Sequence, residues 1–267
     1  MDALPDAVGF DNFLTGRREN CDLTRVQEYD ITTRWQLYED ANKVEPDVVI
    51  HCAASYSDPD LWHRDTDTNV SGCINAAAVA KHHGAHLIYF QTILPPISSY
   101  AISKIAGEQY LRLSGVDLTV FRLANIYGPR NISGPIPVFY KRLTQGLPCT
   151  VVNTTREMVY IEDLVRAVEQ VIEERLEGTF DVCTGEPVPI LSLYEGVAWE
   201  LGNSTEPGLK APDLDDVQGM IQASDGVPGW KPEISLAEGI YRTVASYREV
   251  GVAHTYTHLR IGEKDAS

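Results

Sequence analysis

The sequence predicts an α/β fold: a doubly wound, mostly parallel sheet with helices on both faces and a smaller lobe toward the C-terminus. Three observations carry this. Apolar, β-branched runs without polar alternation, such as Asp47–Ala54 (DVVIHCAA), read as strands covered on both faces. They alternate with stretches of helical spacing long enough to act as crossovers. The 267 residues, 43% of them hydrophobic, suffice for one substantial core or two that share a sheet.

In chain order, Ala7–Asp11 (AVGFD) is a short apolar strand ending in an acid, and Asn12–Glu19 reads as loop. After the strand at Asp47–Ala54, Thr68–His83 has helical spacing, with Val70, Ile74, Ala77, Ala78 and Val79 apolar. Gly84 follows in the C′ position that favours a left-handed residue. Ala85–Thr92 (AHLIYFQT) is a second buried strand, and Tyr100–Leu113 a second helix. Asp117–Ala124 and Gly178–Thr184 supply a third and a fourth such strand. Gly128–Pro137 (GPRNISGPIP) reads as loop from its prolines and glycines. Leu201–Gly229 is loop-rich and acidic, and Asp213, Asp215 and Asp216 read as a solvated surface. Part of this second half forms the smaller lobe, over the carboxyl edge where open α/β sheets bind ligands.

Composition narrows the function. Acidic residues number 38 against 22 basic ones, a formal charge of -16 that repels nucleic acid. No apolar run approaches the ~20 residues that span a bilayer. The N-terminus, MDALPDAVGF, lacks the basic-then-apolar layout of a signal peptide. Cys21, Cys52, Cys73, Cys149 and Cys183 are scattered and form no CxxC pair, which argues against a disulfide framework or a metal site and for a reducing cytoplasm. His82 and His83 sit near a helix end, where a dipole contact is the simpler role than ligation. His51, on a buried strand, reads as a hydrogen-bonded core residue.

The residues that carry chemistry cluster around 92–104. In Ser98–Lys104 (SSYAISK), Tyr100 and Lys104 stand at i and i+4, on one face of a helix. A free tyrosine, with a pKa near ~10, is a poor base at neutral pH. A neighbouring ammonium stabilises its phenolate, as would a bound nicotinamide cation. The plainer reading is an amphipathic helix that happens to contain YxxxK. Thr92 ends a buried strand, where its hydroxyl can bond a substrate oxygen or the backbone. Asp11 also ends a strand, where an acid accepts bonds from a ribose 2′-hydroxyl and favours NAD over NADP. Arg17 and Arg18 nearby leave that choice less secure. Asp30-Ile31-Thr32 can place a carboxylate by an adenine amino group, or cap a helix through Asp30 or Thr32.

An ordered set of segments then carries a resemblance over nearly the whole chain: GFDNFLTGRREN (9–20), VVIHCAASYSDPDLW (48–62), TNVSGCINAA (68–77), YFQT (89–92), SSYAISKIAGEQY (98–110), RLANIYGPR (122–130), REMVYIEDL (156–164) and GWKPEISLAEGI (229–240). Together they resemble the extended short-chain dehydrogenases/reductases, in their NAD-dependent nucleotide-sugar epimerase/dehydratase branch. The closest likeness is to bacterial UDP-sugar epimerases that serve surface polysaccharide biosynthesis. The resemblance implies a Rossmann-like domain over residues 1–128 with 155–185, and a nucleotide-sugar-binding lobe over 129–154 with 186–267. It implies Tyr100 as catalytic base, Lys104 as its partner and a contact to the nicotinamide ribose, and Thr92 as the hydroxyl holding the reacting sugar oxygen. Asp11, Asn12, Asp30, Ile31, Ala53, Ala54 and Asn69 then surround NAD, while Asn125 and Arg156 meet the substrate's diphosphate and nucleotide. On residues alone, Asn125 equally suits turn chemistry and Arg156 a salt bridge with Glu157. The implied reaction is transient oxidation of the sugar, rotation of the keto-sugar and return of hydride to the other face. A homodimer paired through the Tyr100–Leu113 helix is expected.

Two departures from the family pattern stand out. Only ten residues precede Asp11, whereas a βαβ unit carrying the family's glycine-rich phosphate loop needs ~30. The seven residues Ile93–Ser99 can bridge ~25 Å when extended, but they are short for the family's substrate-covering loop. Either the chain is truly shortened and its cofactor site weakened, or segments that often go unseen were left out of the sequence; the position of both losses on loops favours the second. A 4,6-dehydratase is the alternative within the family, although Ile93-Leu94 stand where that chemistry uses Asp-Glu. A non-catalytic nucleotide-sugar or NAD-binding protein is the alternative outside enzymology.

Overall fold

The structure, a computed structural model, describes residues 1–56, 58, 60–212, 225–252 and 255. The chain divides into two compact units: Met1–Thr92, Pro96–Arg122 and Val168–Phe180 form the first, and Ile93–Pro95, Leu123–Ala167 and Asp181–Ser267 the second.

The first unit opens with strands β1 (Gly9–Asp11) and β2 (Val26–Glu28), which pair in parallel as their own small sheet. Helix α1 (Arg34–Val44) crosses to β3 (Val48–His51). A helical run follows: α2 (Trp62–Thr66), a π-helical turn (Asp67–Ser71) and α3 (Gly72–His83), ended by Gly84 at φ +65°. Strand β4 (His86–Thr92), helix α4 (Ser99–Ser114) and strand β5 (Leu118–Leu123) continue the alternation. Helix α6 (Ile161–Glu174) leads to β9 (Gly178–Val182), which completes a four-stranded sheet in the order β3-β4-β5-β9. Alanines on α3 (Ala76, Ala77 and Ala80) let that helix close onto Leu87, Tyr89 and Val120, all fully buried. The doubly wound α/β architecture is thus present, with strands shorter than their apolar runs by one to four residues.

Two local readings change. The helix expected to begin at Thr68 extends from a run that starts at Trp62, because Asp65 and Asn69 are buried although polar and so break the apolar period. The stretch read as loop over 128–137 ends inside helix α5 (Pro135–Thr144), where Pro135 takes the first helical position and loses no needed hydrogen bond.

The second unit adds β6 (Asn125–Tyr127), β7 (Thr150–Val152), β8 (Thr155–Tyr160), β10 (Pro187–Pro189), α7 (Ile190–Leu201), β11 (Gly208–Lys210) and α8 (Leu236–Val250). Its strands form a β10-β8-β6 sheet and a β11-β7 pair. Phe139, Leu143, Leu193, Tyr194, Val197, Ile240, Val244 and Tyr247 make its core. Asp213, Asp215 and Asp216 lie outside the described residues. The five cysteines form no disulfide. No described helix is long and apolar enough to cross a membrane.

One close approach fixes α4. A Cβ on Gly107 would lie 2.2 Å from the Asn69 carbonyl oxygen and 2.7 Å from Cys73 Sγ. Gly107→Ala is therefore expected to force α4 off the α2–α3 run and to cost on the order of 1–3 kcal/mol. Thermal unfolding should show Tm lower by about 2–10 °C; an unchanged Tm would refute the contact.

Candidate active site

Each parallel strand of the first unit ends in residues that face its carboxyl edge. At the end of β1, Phe13 adopts φ +52°, a left-handed turn that brings its N–H to Asp11 Oδ1 at 2.7 Å. Gly16 runs beside the same carboxylate, since a Cβ there would stand 2.9 Å from Asp11 Oδ2. Asn12 Nδ2 donates to Asp30 Oδ2 at 2.9 Å, joining the ends of β1 and β2. Asp30 Oδ1 accepts from the Thr32 N–H and hydroxyl. Partial burial pushes the Asp30 carboxyl up, but these donors outweigh it and hold the group below the usual carboxylate range. Ile31 packs on Gly72, and its carbonyl accepts from Asn75. Arg18 is paired with Glu28 at 2.6 Å and lies over the Phe13 ring, and Arg17 contacts Glu19 at 3.5 Å. Both arginines near Asp11 thus engage acids, Arg17 in its own loop and Arg18 at the end of β2.

After β3, Ala53 is exposed and Ala54 half-buried, with no side-chain bulk to shield their backbone. The next residues are braced by a buried polar bracket that sequence reasoning missed. Asn69 Oδ1 accepts from the Ser55 N–H, and its Nδ2 donates to the Ser55 carbonyl and to Ser103 Oγ, all at 2.9 Å. The Ser55 hydroxyl donates to Asp65 at 2.7 Å. Asn69 therefore ties the turn after β3 to helix α4. Its amide is engaged by protein groups, so any service to a cofactor is through the backbone it holds.

Thr92 ends β4, half-buried, with its N–H on Gln91 Oε1 at 2.8 Å. Helix α4 starts from Ser98, whose hydroxyl accepts from the Ala101 N–H as N-cap. Tyr100 and Lys104 share one face of α4, as the spacing predicts. Their electrostatics differ from the sequence expectation. Burial, with the Asp65 carboxylate as a second cause, pushes the Tyr100 phenol up to about 12. The Lys104 ammonium lies over the Tyr89 ring, 4.0 Å from its centroid. Burial lowers Lys104 to about 8, against raising effects from Cys73, Cys52 and Glu108. In this arrangement burial and the Asp65 carboxylate both push the phenol up, and Lys104 is not among the groups that act on it. His51 is buried and stacks on Tyr89, but its Nε2 has no hydrogen-bond partner among the described residues, and burial pushes it down to about 3.

In the second unit, Asn125 Nδ2 donates to the Glu157 carbonyl at 2.9 Å, linking β6 to β8. Arg156 folds onto the Thr155 carbonyl at 2.9 Å and Thr154 Oγ1 at 3.3 Å. Glu157 points instead to the Gly185 N–H and the Thr184 hydroxyl. Asn125 and Arg156 thus stand on neighbouring strands.

The first-unit residues fit the two nucleoside ends of a dinucleotide: carboxylates and an amide at the ends of β1 and β2, and Tyr100 and Lys104 on α4. For the diphosphate the described residues offer the backbone at Ala53 and Ala54. Among the described residues, β1 and β3 are each paired on one side only. The Met1 side chain packs against Gly9 of β1, and both the Met1 amino group and Asp11 act on Cys52 just after β3.

Residues 2–183 match the model of the NAD dependent epimerase/dehydratase family. The UDP-glucose 4-epimerase of Mycolicibacterium smegmatis is 28% identical over 290 residues, spanning 90% of this chain and 90% of that protein. Among solved structures, the Bordetella bronchiseptica enzyme WbmH in complex with NAD+ has a TM-score of 0.85 at 36% identity, covering 92% of this chain and 91% of that one. The WbmG enzyme of the same organism, in complex with NAD and UDP, has a TM-score of 0.84 at 34% identity, covering 94% and 89%.

The depressed Lys104 has a measurable consequence. Its ordinary value is 10.5, and the folded chain releases the proton near 8. Between those values the unfolded chain binds more protons, so Lys104 makes stability rise with pH across that window. Relative to Lys104→Met, the wild type should gain up to ~3 kcal/mol between pH 8 and 10.5 in denaturant unfolding. A difference that does not vary with pH would contradict the buried charge.

Proposed function

The chain belongs to the NAD-dependent epimerase/dehydratase family, whose cofactor is NAD, and we propose that it inverts one carbon, C4 in the simplest case, of a UDP-linked sugar. The observation that carries this reading is the placement of Thr92 at the end of β4 beside α4, which presents Tyr100 and Lys104 on one face. NAD, when bound, accepts hydride from the sugar carbon and returns it, and its nicotinamide cation adds positive charge near the phenol.

The protein's own residues do the rest. Tyr100 takes the proton of the sugar hydroxyl and gives it back, and Thr92 holds the same oxygen. A phenol at about 12 resists ionisation, so the base is generated only when positive charge reaches it. Lys104, which keeps its proton below about 8, is the protein's cation on that face of α4. Asp11, with Asn12 and Asp30, takes the adenosine end; the engagement of Arg17 and Arg18 with acids favours a ribose without a 2′-phosphate. Ala53, Ala54 and the turn that Asn69 braces approach the cofactor through backbone. Asn125 and Arg156 take the diphosphate and the nucleotide of the substrate. Ile93 and Leu94 offer no acid after Thr92, which disfavours a 4,6-dehydratase.

A homodimer is part of this reading. Ile102 (54% exposed) and Leu113 (80%), with Tyr110, leave an apolar stripe on α4 beside Ile74 of α3. Leu113→Asp should convert a dimer to a monomer by light scattering; an unchanged mass, or a monomeric wild type, would remove the proposed pairing.

Incubation with a panel of UDP-sugars, read by product stereochemistry, tests the activity. Tyr100→Phe should reduce turnover by about 10²–10⁴-fold while UDP-sugar affinity holds. Near-normal epimerisation by that variant would sink the assignment, and binding without turnover by the wild type would favour a non-catalytic nucleotide-sugar protein.

A further inference from the structure

Alternate residues of a strand face the same way, and β4 directs two of them at a single peptide of α4. The Tyr89 hydroxyl donates to the Lys104 carbonyl at 3.0 Å, and Gln91 Nε2 donates to the same oxygen at 3.1 Å. Gln91 is fixed in turn: its Nε2 also donates to Glu108 at 2.8 Å, and Glu108 is held by Arg112 at 2.7 Å. The Lys104 ammonium then lies over the ring of the same Tyr89, at 4.0 Å, with His51 stacked on that ring at 5.7 Å. Tyr89 is fully buried and Lys104 is 3% exposed, so water is a poor substitute for a missing partner. A buried cation needs compensation. An aromatic face supplies it through its quadrupole.

The other groups around Lys104 do not offer an equivalent. His51 and Cys52 face it from β3 and its end, and Cys73 faces it from α3. Glu108, on α4 itself, is the one acid acting on it among the described residues and is already engaged by Gln91 and Arg112.

We propose that Tyr89 is the positioning residue of the site: its ring holds the Lys104 ammonium while its hydroxyl, with Gln91, holds the Lys104 peptide, so that β4 and not α4 alone sets where the charge stands. This rests on Lys104 being the partner of Tyr100. It adds to that reading a residue that touches neither the substrate nor the reacting atoms.

The test separates the ring's charge distribution from its bulk. Lysine ¹³Cε resonances are followed through a pH titration in the wild type, in Tyr89→Phe and in a chain carrying pentafluorophenylalanine at position 89, with Lys104→Arg to assign the signal. The wild type should titrate near 8, and Tyr89→Phe should stay with it, since the ring remains and Gln91 still holds the peptide. The fluorinated ring, of similar size but reversed quadrupole, should move Lys104 lower by about one pH unit. Its kcat for the UDP-sugar should fall several-fold relative to Tyr89→Phe, with KM unchanged. Coincident titrations in the two substituted chains would overturn the proposal. The titration needs no substrate, so absence of turnover in the wild type would count against the enzymatic reading while leaving the role of Tyr89 to be decided by the resonances.

Discussion

A lysine ammonium held inside the protein against the strand β4 is the constraint on which the first unit turns. Burying such a charge is costly unless something replaces its water. Here an aromatic face lies at 4.0 Å, and the lysine's own peptide is clamped by two side chains from the strand. The clamp works only if α4 lies close, and Gly107 permits that by leaving no Cβ where the Asn69 carbonyl and Cys73 approach. Asn69 in turn braces the turn after β3, where Ala53 and Ala54 offer backbone. One close-packed contact therefore registers the strand ends, the helix and the turn after β3 together.

The half of the fold built from β-branched runs was legible because parallel strands buried on both faces leave an unbroken apolar signature, and Gly84 marks its helix end plainly. Polar residues in the interior were not legible. Asp65, Ser55, Asn69 and Ser103 form one bonded set, yet each alone looks like a loop or surface residue, and an apolar period cannot register them. The smaller strands β6, β7, β8, β10 and β11 have three to six residues each, too few to show a pattern. Pro135 read as loop because a proline at a helix start and one in a turn look alike in sequence.

The candidate site shows the same division. Residue type and spacing brought Tyr100, Lys104 and Thr92 to notice, and the i, i+4 rule correctly put two of them on one face. The rule says nothing of depth or of what each side chain meets, so the direction of the Tyr100 shift had to come from the structure, where burial and Asp65 dominate. Electrostatics also sharpens the problem of a chain at -16 that serves anionic ligands. Its local answer is to tie acids down. Asp30 is bonded by Asn12 and Thr32, and Glu28 by Arg18, which leaves directed donors and acceptors where a bulk field would repel.

The central claim is that the chain moves hydride off one sugar carbon and returns it to that carbon. The most direct measurement uses a UDP-hexose carrying deuterium at C4, incubated with the protein and NAD, with the product's stereochemistry and label position read by NMR. The account predicts an inverted C4 that retains its deuterium, with turnover slowed by the label. An inverted centre whose deuterium has exchanged with solvent, or a sugar recovered unchanged from a chain that binds both NAD and UDP-sugar, would contradict it.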